Sequence, residues 1–286
     1  MEQHPYFNLW LHSDEELILL LPAPLTARTT LHEWPLSCVQ LLRLADGSRW
    51  IYKVQTIESV EPDFYTHARS ALLPAYQVLG TYRNTTAMLL EFISGSRLDE
   101  RPLNPAEAFQ HATRLVAEIA KIKGDLPAYQ DLGTPEHWRD LSRHICSTLA
   151  ALIDSGQFNL TGRETANRLF DWASSASIMA TCRTKPVFAH ADLHGENIFI
   201  TPHGYKILDW QYPRWAPAGF DQIPLLEEYG CDPRRFIGPT VVEIFWFIRL
   251  GWFVECKSRL FPQGSSYDQS VNELAGAILT SASSRA

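Results

Sequence analysis

No two of the five cysteines (Cys38, Cys146, Cys182, Cys231, Cys256) stand in a C-x-x-C pair, and their number is odd. A disulfide framework is not expected; reduced thiols in a cytoplasmic protein are. Basic residues are in the minority, 25 Lys and Arg against 32 Asp and Glu, a net charge of −7. That balance argues against a protein that coats nucleic acid or an anionic membrane. Long apolar runs are missing as well. The most apolar late stretch, Val241 to Val254, is broken by Glu243 and Arg249. It falls short of the roughly 20 residues that span a bilayer and reads as a buried helix. The N-terminus has no basic segment and no apolar core, so no signal peptide is expected. Repeats and low-complexity tracts are absent. What remains is globular composition, 45% hydrophobic and 20% charged over 286 residues, sufficient for one large domain or two smaller ones.

The first ninety or so residues read as strands and turns. Leu17–Leu21 is a short apolar run ended by Pro22 and Pro24, and Val39–Leu44 and Trp50–Val54 flank the hairpin residues Ala45-Asp46-Gly47-Ser48. Pro62 and Pro74 bracket a short helix through Phe64, Tyr65 and Ala68, and Ala87–Ile93 is a further strand. The pattern then turns helical. Asn104-Pro105-Ala106-Glu107 opens a helix with Gly124 as its stop, Thr134-Pro135 opens a second running to about Asp154, and Thr161-Gly-Arg-Glu164 is a capping box for a third. Two short strands follow around Pro202-His203-Gly204, and the tail is helical. The expected fold is α+β: a small antiparallel sheet over 1–93, then a larger, mainly helical part over 94–286, with a ligand cleft between the two as the default expectation.

The richest segment is His190-Ala-Asp192-Leu-His194-Gly-Glu-Asn197, followed by Asp209 in Ile-Leu-Asp-Trp. The intervening β-turn-β can fold Asp209 back beside Asn197. Two carboxylates and a carboxamide are then gathered, all hard oxygen donors of the kind magnesium prefers. One carboxylate can hold metal while the other orients a substrate hydroxyl, as phosphoryl transfer requires. In a chain of this composition the pattern H-x-D-x-x-x-x-N is expected about 0.01 times by chance.

These residues closely resemble the aminoglycoside phosphotransferase/choline kinase family, small-molecule kinases with a protein-kinase-like two-lobe fold. Upstream, Ile51-Tyr-Lys53-Val is similar to the family's lysine strand, Glu61-Pro-Asp-Phe64-Tyr65 to its E-x-x-F-Y helix, and Leu89-Leu-Glu91-Phe-Ile93-Ser-Gly95 to its nucleobase hinge. The resemblance implies that Asp192 accepts the proton of the acceptor hydroxyl and that Asn197 and Asp209 ligate Mg2+. It implies that Lys53 pairs with the phosphates of ATP (or GTP) and that Glu61 holds Lys53, with Glu58 the runner-up. Backbone groups of Glu91 and Ile93 would meet the base, His190 would prop the loop, and Asp221 would brace it. The phosphate-covering segment Glu33-Trp-Pro-Leu-Ser37-Cys38 contains no glycine, which leaves Ser37 and its neighbours to approach the phosphates.

The acceptor is expected to be a small polar alcohol. Trp210, Tyr212 and Trp215 read either as core or as aromatic walls for an amine-bearing acceptor, with Glu227 and Glu228 adding negative charge and Arg214 opposing it. Two other classes stay open on the residues alone: a metal-dependent hydrolase using His190, Asp192 and His194, and an inactive kinase-like binding protein. Neither nucleic acid nor membrane is an expected partner.

Overall fold

Strand-forming residues dominate 25–91. In the computed structural model, which describes residues 1–285, they build a five-stranded antiparallel sheet. Its spatial order is Leu25–Trp34, Ser37–Leu44, Arg49–Thr56, Thr85–Glu91, Tyr76–Tyr82. The Ala45–Ser48 turn forms as expected, with Gly47 at φ 83° and Leu44 N donating to Ser48 O over 3.0 Å. Period-two alternation sends Tyr52 and Val54 into a core with Leu9, Leu17, Leu42, Ala87 and Leu89. Lys53 is thereby turned to the other face, in register with Val39 and Met88 on its neighbours.

The helix Glu61–His67 starts with Pro62 in its first turn and buries Phe64 and Tyr65. One local expectation is corrected. The Leu17–Leu21 run is entered through a helix, Asp14–Ile18, because Ser13 and Glu16 form a reciprocal capping box. Ser13 Oγ accepts from Glu16 N at 3.3 Å and Ser13 N donates to Glu16 Oε2 at 2.8 Å. Gly124 also differs from its expected role. The helix before it ends at Ile119, and Gly124, at φ 125°, lets the chain pass so near His67 that an added Cβ would lie 2.0 Å from the His67 carbonyl oxygen.

The chain divides into two compact units. The sheet belongs to the unit of Met1–Pro102, Ala117–Tyr129 and Asp192–Pro213, which also holds the antiparallel hairpin Ile198–Thr201/Gly204–Ile207 and its neighbour Ser96–Arg97. The second unit is mainly helical, with Pro135–Asp154, Arg163–Ala173, Gln222–Glu228, Pro239–Glu255 and Tyr267–Ser283 around one apolar core. The Val241–Val254 stretch lies inside Pro239–Glu255, whose residues from Val242 to Val254 are largely buried. In this core Trp138 donates its indole N–H to Ala173 O over 2.9 Å. A small sheet of Val187–Ala189, Arg214–Ala216 and Gln130–Asp131 completes the unit. All five cysteines are free and buried, and no helix among the described residues is long and apolar enough to cross a membrane.

The caps follow the sequence in two of three places. Asn104 Oδ1 accepts from Ala106 N and Glu107 N at 3.0 and 3.1 Å, and Thr134 accepts from His137 N at 3.1 Å. The Thr161–Glu164 box does not form. Gly162 holds the cap position of Arg163–Ala173 without a side-chain bond. The preceding amides are instead captured from a distance. Asp268 accepts from Asn159 N, Leu160 N and Thr161 N at 2.6, 2.7 and 3.2 Å. Partial burial pushes the Asp268 pKa up, but these amide donors outweigh it and the net shift is downward. A carboxylate with a lowered folded pKa stabilises above its unfolded value and loses that contribution as pH falls through the folded one. Asp268→Ala should therefore cost about 1–2 kcal/mol at pH 7. Urea unfolding should show that gap constant at neutral pH and closing only below about pH 4; closure already near neutrality would show that another group is responsible.

Candidate functional site

Three local devices gather the polar residues singled out by sequence. The first is the hairpin. Ile198 pairs with Ile207, and Leu208 N donates to Asn197 O over 3.0 Å, so Asn197 and Asp209 lie together at the open end of one ladder. The second is a reversal at Asp209, whose φ of 66° turns the chain away from the strand. Left-handed backbone is tolerated by Asp better than by bulkier residues. Beyond it Trp210 is fully buried, stacked on Phe64 at 4.3 Å, with its N–H on Ile207 O at 3.1 Å. The third device is Asp221. Its two oxygens accept from His190 N and Ala191 N at 2.8 and 2.7 Å, fixing Ala191 at φ 69°. His190 is itself buried.

Lys53 is the centre of the charge arrangement. Its ammonium lies 2.6 Å from Glu61 Oε2 and 2.5 Å from Asp209 Oδ1. Glu61 has no exposed side-chain surface, whereas about a third of the Asp209 side chain is open to solvent (35%). Burial by itself pulls the lysine pKa down. The two carboxylates more than offset it and hold the pKa above its ordinary value, so Lys53 stays charged. Of the expected partners of Lys53, Glu61 is thus within ion-pair distance. Gln211, outside every motif, donates Nε2–H to Asp209 Oδ1 over 2.7 Å. No periodicity marks it; only its place two residues after the aspartate does.

Asn197 donates Nδ2–H to Asp192 O over 3.0 Å, which aims its Oδ1 away from that carbonyl as an acceptor. Oδ1 of Asn197 and the partly exposed Asp209 carboxylate are a donor set that suits a hard divalent cation such as magnesium. Asp192 is more than half exposed (57%), with one carboxylate oxygen 3.4 Å from His194 Nε2.

The remaining candidates are engaged in contacts of their own. Glu91 spends its amide on Ala75 O at 2.8 Å and its carboxylate on Ala75 N at 3.0 Å. Ile93 is buried. Ser37 is sealed into the turn Trp34–Ser37, its Oγ accepting from Trp34 Nε1 at 2.6 Å. Pro35 at the tip has no N–H to offer. Trp210, being core, is no wall for an acceptor; Tyr212 meets Tyr129 edge-on, and Trp215 meets Phe188 in the same way. Glu227 is engaged by Trp246 Nε1 and Arg249.

His190, Asp192 and His194 form no metal-holding group. Among the described residues the one such grouping is His4, Glu33 and Cys38. There His4 Nδ1 accepts from Tyr6 N at 3.2 Å, which leaves the proton on Nε2, facing Glu33 at 3.1 Å. That tautomer makes a hydrogen bond where a metal would need a lone pair.

The buried pair carries its own prediction. Lys53→Met leaves Glu61 without its cation and should destabilise by about 3–5 kcal/mol. Adding Glu61→Gln to Lys53→Met should return much of that loss in urea unfolding. A double variant no more stable than the single one would mean that Glu61 is not held by Lys53.

A sequence profile of the phosphotransferase enzyme family matches residues 42–243. No curated protein sequence matches the chain. Among solved structures, a thermostable mutant of aminoglycoside phosphotransferase APH(4)-Ia is similar at a TM-score of 0.61 and 14% identity, over 94% of this chain and 99% of that one. Choline kinase LicA from Streptococcus pneumoniae is similar at 0.58 and 13%, over 94% and 97%. Spectinomycin phosphotransferase APH(9)-Ia, solved with ADP and spectinomycin, is similar at 0.53 and 14%, over 93% and 98%. At these identities the structures attest the fold, which is protein-kinase-like. The profile spans most of the chain, including Lys53, Glu61, the Asp192–Asn197 loop and Asp209, and the chain therefore belongs to the phosphotransferase enzyme family.

Proposed function

We propose that the protein transfers the γ-phosphoryl group of a purine nucleoside triphosphate, ATP or GTP, to a hydroxyl of a small polar molecule, with Mg2+ as the metal. The observation that carries the reading is the cluster in one unit of Lys53, Glu61, Asp209, Asn197 and the exposed Asp192. Phosphoryl transfer asks little covalent chemistry of a protein and much positioning and charge stabilisation. That is what this cluster provides.

Lys53, kept protonated by its two carboxylates, meets the phosphate oxygens. Glu61 keeps the ammonium in place when the phosphates arrive. Asn197 Oδ1 and the Asp209 carboxylate hold the magnesium, which when bound neutralises charge on the phosphate oxygens. Asp192 accepts a hydrogen bond from the acceptor hydroxyl and takes its proton as the new P–O bond forms and the bond to the nucleoside diphosphate breaks. Asp221 serves Asp192 indirectly by fixing the amides just before it. The backbone at Glu91 and Ile93 meets the base edge; the Glu91 amide is already engaged, so there the Ile93 amide is the donor. Similar solved structures named for spectinomycin and choline support a small hydroxylated acceptor. With Trp210 in the core and Glu227 engaged, an amine on the acceptor is not what this reading depends on.

A nucleotide-consumption screen over small alcohols and amino alcohols, with Mg2+, identifies the acceptor. On it Asp209→Ala should abolish magnesium-dependent turnover. Asp192→Asn should lower kcat by about 10²–10⁴-fold while nucleotide binding stays as in the parent. Full turnover by Asp192→Asn would falsify its assignment as the base; loss of nucleotide binding would move it to the phosphate site.

A further inference from the structure

Asp209 receives two donors on a single oxygen. Lys53 Nζ and Gln211 Nε2 both reach Oδ1, at 2.5 and 2.7 Å, and among the described residues no donor reaches Oδ2. Gln211 is buried, and its carbonyl accepts from Val60 N at 3.3 Å. Val60 is the cap residue of the helix that begins with Glu61. The contacts therefore close into a ring. Lys53 pairs with Glu61, the peptide bond joins Glu61 to Val60, Val60 bonds Gln211, Gln211 bonds Asp209, and Asp209 returns to Lys53.

We propose that Gln211 is a positioning residue that keeps the Asp209 carboxylate aimed at the metal once Lys53 turns to the phosphates. The proposal rests on the reading of Asp209 as a magnesium ligand. Its physical basis is the difference between the two donors. An arriving triphosphate competes strongly for an ammonium, so Oδ1 loses Lys53 as the nucleotide binds. A carboxamide is neutral and is not drawn off in the same way, and the main chain of Gln211 is tied to the start of the Glu61–His67 helix. One retained donor on Oδ1 restricts rotation of the carboxylate and leaves the lone pairs of Oδ2 for the cation. A glutamate at this position would set two carboxylates against each other, and an apolar side chain would supply no donor.

The test needs no acceptor. Calorimetry of a non-hydrolysable ATP analogue, with and without Mg2+, gives the factor by which metal strengthens binding. Gln211→Met has similar length and no donor; Gln211→Asn keeps the amide but is one methylene short and serves if the first variant fails to fold. Each should cut the metal enhancement by about 10–100-fold while metal-free nucleotide affinity is unchanged. Asp209→Asn should remove the enhancement altogether. If the Gln211 variants keep the full enhancement while Asp209→Asn loses it, Gln211 does not position the carboxylate and the metal reading stands. An equal loss of metal-free and metal-bound affinity in the Gln211 variants would make the residue merely structural and overturn the proposal. If Asp209→Asn itself keeps the enhancement, the metal reading fails and the proposal with it.

Discussion

A lysine ammonium held between two carboxylates under a β-sheet is the constraint from which the geometry around it follows. Lys53 cannot be left there alone, because an unpaired buried charge costs far more than a domain's margin of stability allows. Glu61 must come to it, so the helix Glu61–His67 has to dock against the sheet with its first residue fully buried. Asp209 must come to it as well, so the hairpin has to return its end to the same place, 156 residues further along the chain. The stack of Trp210 on Phe64 and the bond from Val60 to Gln211 are the packing consequences of those two requirements. A buried ion pair of this kind is weak support for stability compared with a well-packed apolar replacement. Phosphate binding by the lysine is what accounts for its presence in the proposed reading.

Strain collects where the chemistry is placed. Among the described residues three non-glycine residues have positive φ, and two of them, Ala191 and Asp209, adjoin or belong to the candidate site. Such conformations cost about 1–3 kcal/mol each and persist only where the surroundings determine them. For Ala191 the determinant is Asp221, whose carboxylate takes two successive amides. For Asp209 it is the combination of Lys53, Gln211 and the buried Trp210 that follows.

The turn between the first two strands of the large sheet shows the opposite economy. Where a phosphate-binding loop could use glycines to bring amides close, this chain has a two-residue tip of Pro35 and Leu36 clipped by Trp34 on Ser37. The clip withdraws the serine hydroxyl from solvent. The proposed phosphate contacts therefore concentrate on Lys53 and on the metal held by Asn197 and Asp209.

Strands, two of three helix caps and the hairpin that brings Asn197 and Asp209 to one end were legible in the residues themselves. Period-two alternation, a Pro in the first turn, Asn104 with Glu107, and the H-x-D-x-x-x-x-N spacing act over a few residues, and local interactions decide them. Where a distant group competes, the local reading fails. Thr161 and Glu164 have the residues of a capping box, yet Asp268 reaches the preceding amides across 107 to 109 residues and replaces it. Trp210 could equally have faced an acceptor, and only the docking of Phe64 sends it into the core. The partnership of Gln211 with Asp209 has no pattern to announce it, because it depends on a left-handed residue that turns a side chain two positions on back toward its own loop. The amino-acid order by itself thus determined which groups were available and which segments would be strand or helix. Which carboxylate holds Lys53, and which amide holds Asp209, was decided only when burial made every unpaired charge and donor in that neighbourhood costly.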